Sequence, residues 1–184
     1  MRPLFPWMPL LAALLAGCAT MKAGSHIERG AAFTHYHTWE WAAAEERPTG
    51  DPRLDNNPMF ELHVRSAVEH QLAGKGYVRT PLAGPPDLRA QYHANFSKAV
   101  EIGGGAAGAG SCSRDCEPKA YVYEQGTLVV DLVDGKSKAS VWRASATQIL
   151  KDGPSGNAAK DAKRVEEPIK KSVDKMFKQF PKPS

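Results

Sequence analysis

Phe60, Val64, Val68 and Leu72 recur at every fourth position, the spacing of one helix face, with Ala67 and Gln71 adjoining. Asn57 is a natural N-cap, Pro58 suits the first helical position, and Gly74 and Gly76 supply the stop. Elsewhere the period drops to two. Leu88, Ala90, Tyr92, Ala94 and Phe96 alternate with Asp87, Arg89, Gln91, His93 and Asn95, which predicts a strand with one wet face. Thr127 to Val133 reads as a second strand running into Asp134-Gly135, a hairpin signal lengthened by Lys136-Ser137. Its return strand spans 139–149, with Trp142 expected inside and Arg143 outside. In that hairpin Asp131 and Arg143 are placed to pair across neighbouring strands.

Earlier in the chain, Phe33 to Trp41 also has strand character, with His37, Trp39 and Trp41 on one side. Near the end, Val165, Ile169, Val173, Met176, Phe177 and Phe180 form an apolar stripe. Pro168 interrupts it, so the regular helix is expected to start at Glu166 or Glu167 and to end at Phe180-Pro181. Strands and helices do not alternate regularly. The pattern predicts a single α+β domain: an antiparallel sheet of about four to five strands with two helices packed on one face.

The N-terminus sets the expected location. An apolar run from Leu4 to Ala16, carrying three prolines (Pro3, Pro6, Pro9) in or beside it, is too short to span a bilayer but has the length of a signal segment. It ends in Leu15-Ala16-Gly17-Cys18, which resembles the lipobox at which bacterial lipoprotein precursors are acylated and cut. That resemblance implies a signal peptide over 1–17 and a covalent lipid on Cys18. Residues 18–25 would be the lipidated N-terminus and tether, and 26–184 the domain. Ala19 is not the aspartate that marks inner-membrane retention, so the outer membrane, periplasmic face, is the expected address. The lipid is the membrane link, and no other cofactor is implied.

Loss of Arg2 with the leader lowers the formal charge from +4 to +3, and the basic stretch Lys160 to Lys178 is interleaved with acids. No basic stripe interleaved with aromatics supports nucleic-acid binding. With Cys18 assigned to lipid, Cys112 and Cys116 remain as a candidate disulfide in an oxidising compartment, with free thiols as the alternative. They close a Gly-rich insert over 103–118, whose glycine run lacks the Gly-Lys-Ser/Thr of a phosphate loop.

Catalytic signals are weak. Ser97, His93 and Asp87 can be assembled on paper, without a Gly-x-Ser-x-Gly elbow. His35, His37 and His93 are the weak metal candidates, and zinc or copper needs three or four converging ligands. The expected function is therefore non-catalytic binding or scaffolding for an envelope partner, protein or glycan. The alternative is a periplasmic small-ligand or metal binder.

Several short motifs together resemble a widespread family of envelope lipoproteins, catalogued as domain of unknown function four-one-three-six. They are Phe33-x-x-Tyr36-x-Thr38-x-x-Trp41, Asn57-Pro58, Gly76-Tyr77, Pro86-Asp87-Leu88, Gly126-Thr127-Leu128 with Val130-Asp131, Trp142-Arg143-Ala144, and Val173 to Phe180-Pro181. The resemblance spans nearly all of residues 26–181. It implies an anchored α+β envelope domain and carries over no catalytic residue.

Overall fold

The computed structural model describes residues 21–43, 50–55, 57–80, 84–103, 119–149 and 158–183. In chain order these form β1 (Lys22–Ile27), a 3-10 turn (Phe33–His35), β2 (Thr38–Trp41), α1 (Pro52–Asp55), α2 (Pro58–Lys75) and β3 (Val78–Arg79). Then follow β4 (Leu88–Gly103), β5 (Lys119–Asp134), β6 (Ser140–Ile149) and α3 (Ala158–Phe177).

The strands build one six-stranded sheet in the order β1-β6-β5-β4-β2-β3. It is mixed rather than antiparallel, because β2 runs parallel to both β4 and β3. The reason is the connection: α1 and α2 separate β2 from β3, and a helical crossover returns the chain in the same direction.

α2 forms as its pattern predicts. The Asn57 side chain accepts hydrogen bonds from the N–H groups of Met59 and Phe60, both at 3.1 Å. Phe60, Val64, Val68 and Leu72 are all buried. Gly74 lies within the helix, and the cap is Gly76 alone, left-handed at φ 98°.

α3 departs from expectation. It starts at Ala158 and continues through Pro168 as far as Phe177. A proline removes one intrahelical hydrogen bond, and the preceding Ala-, Lys- and Glu-rich residues have helix propensity enough to hold the turn before it. Ile169, Val173, Met176 and Phe177 then face the core, joined by Phe180 beyond the helix end.

Both helices cover the same sheet face. That face carries Trp39, Trp41, Leu88, Ala90, Tyr92, Leu128, Val130, Leu132, Trp142 and Ala144, all buried in one continuous core. At its centre Trp142 packs at an angle against Phe177 and edge-on against Phe180, with ring centroids 4.7 and 4.9 Å away.

Two strands extend beyond the sequence reading. β4 runs past Phe96 to Gly103, and β5 begins at Lys119 rather than Thr127. Past the Gln125–Ile149 pair the two continue, among the described residues, as a two-stranded ribbon, where Val100 lies opposite Val122. The tether reading is also corrected: from Lys22 onward the expected linker is an edge strand, paired with β6 along its whole length.

Candidate functional site

Among the described residues no helix covers the other face of the sheet. Its rows follow from register: His26, Arg143, Asp131 and Gln91 lie side by side across β1, β6, β5 and β4. The neighbouring row is Gly24, Ser145, Val129 and His93, and the next is Lys22, Thr147, Thr127 and Asn95. Thr127 and Thr147 share a hydroxyl hydrogen bond at 2.9 Å.

In the middle of this face sits the expected Asp131–Arg143 pair. It is bidentate, Nε to Oδ1 and NH2 to Oδ2, the second contact being 3.2 Å. The partners differ in environment: Asp131 is 1% exposed, whereas the Arg143 side chain is 60% exposed. The hydrogen bond from Arg143 to the Asp131 carboxylate, with their mutual attraction, holds the guanidinium pKa above its ordinary value. Arg143 thus lies as a charged lid over a buried acid, offering its outer surface to whatever lands on the sheet.

At one end of the sheet Asp87 organises the entry to β2. Its Oδ2 accepts from the N–H of His37 (3.0 Å), the N–H of Thr38 (2.9 Å) and the Thr38 hydroxyl (2.8 Å). The Asp87 N–H in turn donates to Thr38 Oγ1 at 3.1 Å. Burial pulls the Asp87 carboxyl upward, but these donors outweigh it and hold the pKa below the usual value.

A depressed carboxylate pKa stabilises the fold above the unfolded-state pKa. That contribution is lost as pH falls through the folded-state value. Thr38→Val is therefore expected to cost about 1–2 kcal/mol at neutral pH, with the difference from the parent shrinking below the ordinary carboxylate range. Urea unfolding at a series of pH values checks it, and an equal difference at neutral and acid pH would contradict the assignment.

A third cluster was not anticipated from sequence. Glu69 on α2 accepts from Trp41 Nε1 at 2.9 Å and from Arg79 NH1 at 3.1 Å. Arg79 also donates to Glu40 through Nε at 2.9 Å. Burial raises the Glu40 pKa, but the bonds from Arg79 and the Trp41 N–H prevail and leave it lowered. The Arg65 guanidinium lies 4.9 Å from the centroid of the Trp41 ring. Its members come from β2, α2 and β3, so only the crossover brings them together. The arrangement is a charge-aromatic clasp fastening α2 to the sheet edge.

The other sequence candidates are dispersed. The strand character read over Phe33 to Trp41 holds only for Thr38–Trp41: His35 ends the 3-10 turn and His37 precedes β2, so the two share no strand face, and both are exposed. His93 lies five residues along β4 from Leu88, the partner of Trp39, which at strand rise puts it ~17 Å up the sheet. Among the described residues no group of three or more His, Cys, Asp or Glu side chains is arranged to hold a metal ion. The paper triad is likewise separated: Asp87 serves β2, while Ser97 Oγ accepts from Gln125 Nε2 at 3.1 Å further along the ribbon. Cys18, Cys112 and Cys116 lie outside the described residues.

One mixed sheet with two helices on a single face defines an α+β domain of the two-layer kind. Residues 24–182 match the family described as Domain of unknown function (DUF4136), and the chain belongs to it. No curated protein matches the chain.

Among solved structures, a DUF4136 family protein from Bacteroides thetaiotaomicron is similar at 14% identity and TM-score 0.51, covering 86% of this chain and 95% of that one. A PDZ domain protein from Parabacteroides distasonis is similar at 16% identity and TM-score 0.52, over 88% of this chain. The chain spans only 36% of that protein's length. At these identities the likeness is one of fold.

Proposed function

We propose that this protein is a non-catalytic envelope lipoprotein domain, held by an acylated Cys18 on the periplasmic face of the outer membrane, that binds a protein partner. The observation that carries the partner reading is the junction of edge strand β1 with the open sheet face. Every residue of β1 is exposed, and its outer edge borders no other strand among the described residues. An extended peptide can add to such an edge through main-chain hydrogen bonds. His26 and Arg143, in register beside that edge, offer side-chain selectivity for acidic or hydrogen-bonding groups on the incoming chain. A glycan has no backbone N–H and C=O ladder to match an edge strand, which favours protein.

Anchoring rests on the Leu15-Ala16-Gly17-Cys18 sequence, and two or more acyl chains make such attachment stable. Among the described residues no helix is long and apolar enough to cross a membrane.

Photo-crosslinking in intact cells tests the proposal, with the probe amino acid replacing His26, Gln91 or Ser145 in turn. A dominant protein adduct from these positions, with little from a probe at Leu62 on exposed α2 surface, is the expected result. Adducts to glycan only, or equal labelling from every position, would sink the protein-partner reading.

A further inference from the structure

We infer that the outward crest of α3 is a docking surface for anionic phospholipid headgroups, so that the domain lies against its own membrane with the open sheet face turned away. The inference rests on the lipid-anchoring reading above. Lys171, Lys175 and Lys178 are spaced four and three residues apart and are all exposed. That spacing aligns Lys171 and Lys175 on α3, with Lys178 in the turn just past its end, opposite the buried stripe of Ile169, Val173, Met176 and Phe177. They lie toward the helix C-terminus, whose negative dipole end favours cations there while offsetting a little of their charge toward an anionic surface.

The position of the anchor makes this stripe the natural contact. At the start of the described chain, the Met21 sulfur accepts from the Ser172 hydroxyl at 3.8 Å, one residue from Lys171. Met21 and the β1 residues Ala23 to Ser25 form a shallow groove with Lys175, Lys178 and Gln179. Cys18 precedes Met21 by three residues, so its Cα can lie no more than ~11 Å away along the chain. A lipid on Cys18 is therefore tethered on the side of the domain where Met21 shares a groove with Lys175 and Lys178, and headgroup charge reaches these lysines as they come within about a Debye length of the surface.

Other charges on the helix offset the stripe only in part. Asp174 lies on the α2 side and accepts from Gln71 Nε2 at 2.7 Å. Glu167, four residues before Lys171, is its neighbour on the same face and offsets part of its charge, whereas Lys175 and Lys178 lie beyond its reach. Clustered lysines next to a lipid anchor are the usual means of attraction to an anionic leaflet. Because α3 covers the face opposite Arg143 and Gln91, docking through it leaves the open face toward the periplasm.

The test uses the mature acylated protein, purified from envelopes and reconstituted into vesicles of phosphatidylcholine alone or mixed with phosphatidylglycerol. Lysine reactivity toward an acylating reagent is read by mass spectrometry. Lys171, Lys175 and Lys178 are expected to be modified about threefold less in the anionic vesicles, with protection lost in high salt. Lys138, at the β5–β6 turn, serves as the reference. Equal reactivity in both vesicle types, or protection of Lys98 on the ribbon in place of the α3 lysines, would overturn the docking surface while leaving anchoring intact. An intact mass without acyl chains, together with failure to float with either vesicle, would overturn the anchoring reading and the docking surface with it.

Discussion

Trp142→Ala is expected to destabilise the fold by about 3–5 kcal/mol, the range for emptying an aromatic site in a packed core. Trp142 is fully buried on β6 and touches both Phe177 and Phe180, so the cavity would open where the sheet meets α3. Phe177 and Phe180 also contact each other, at 5.2 Å between centroids, and Phe180 reaches Phe33 and Tyr77. Collapse into the cavity would have to move this whole aromatic group, which places the cost toward the upper end.

Trp142→Phe is the informative control. It keeps a ring against Phe177, and it deletes an indole N–H that finds no hydrogen-bond partner among the described residues. Its cost should be less than half that of the alanine variant. Denaturant unfolding of both variants checks the pair; equal losses would mean that packing around Trp142 is not what joins sheet and helix.

The second large effect is expected at Gly135→Ala, at about 1–3 kcal/mol from overpacking. A Cβ on Gly135 would collide with the Pro86 carbonyl, and it would also stand 3.2 Å from the Asp87 carbonyl oxygen. Those are backbone atoms and cannot swing aside. Relief requires the β5–β6 turn to lift, which stretches the Gly135 N–H bond to Asp87 O, now 2.8 Å.

The same turn is held from within. The Asp134 carboxylate accepts from the N–H groups of Lys136 and Ser137 and from the Ser137 hydroxyl. Bonds from Ser137, above all its N–H, keep the Asp134 pKa below the usual value although burial opposes them. Gly74→Ala gives the opposite sign. Its Cβ would meet nothing within 4 Å in an exposed part of α2, so the change should stabilise by about 0.5–1 kcal/mol. Melting curves for the two variants should move in opposite directions, and a shared direction would contradict the geometry of one of them.

Elements with one wet and one dry face were legible because burial imprints a period on the sequence. α2, the first half of β4, the second half of β5, and β6 all have this property, and Trp142 and Arg143 fell on the sides expected of them. The ribbon was missed for the complementary reason. Where β4 and β5 run alone, Val100 and Val122 are 60% and 65% exposed, so burial writes no alternation there. β1 is exposed along its entire length and owes its strand character to pairing with β6 rather than to its own residues. Pro168 does not end α3: one lost hydrogen bond is outweighed in a helix whose later turns are locked by Val173, Met176 and Phe177.

The candidate site divides in the same way. Asp131–Arg143 was visible because both residues fall on the outward faces of strands joined by one short turn, while the irregularity between Leu132 and Val133 is what sets them directly opposite each other. The Glu40–Arg79–Glu69–Trp41 cluster was invisible, since its members lie on β2, α2 and β3 and meet only after the crossover closes. The distances among His35, His37 and His93 were equally beyond the sequence.

By itself, then, the sequence determined the α+β class, the inward faces of α2, β4 and β6, and the hairpin pair, because each is a local consequence of burial period or turn chemistry. Only the tertiary structure decided the parallel placement of β2, the edge position of β1, the depth of Asp131 beneath Arg143, and the closeness of Met21 to Ser172 beside the lysine crest. Those depend on long-range pairing, which is selected by the packing of the whole sheet against two helices and leaves no period along the chain.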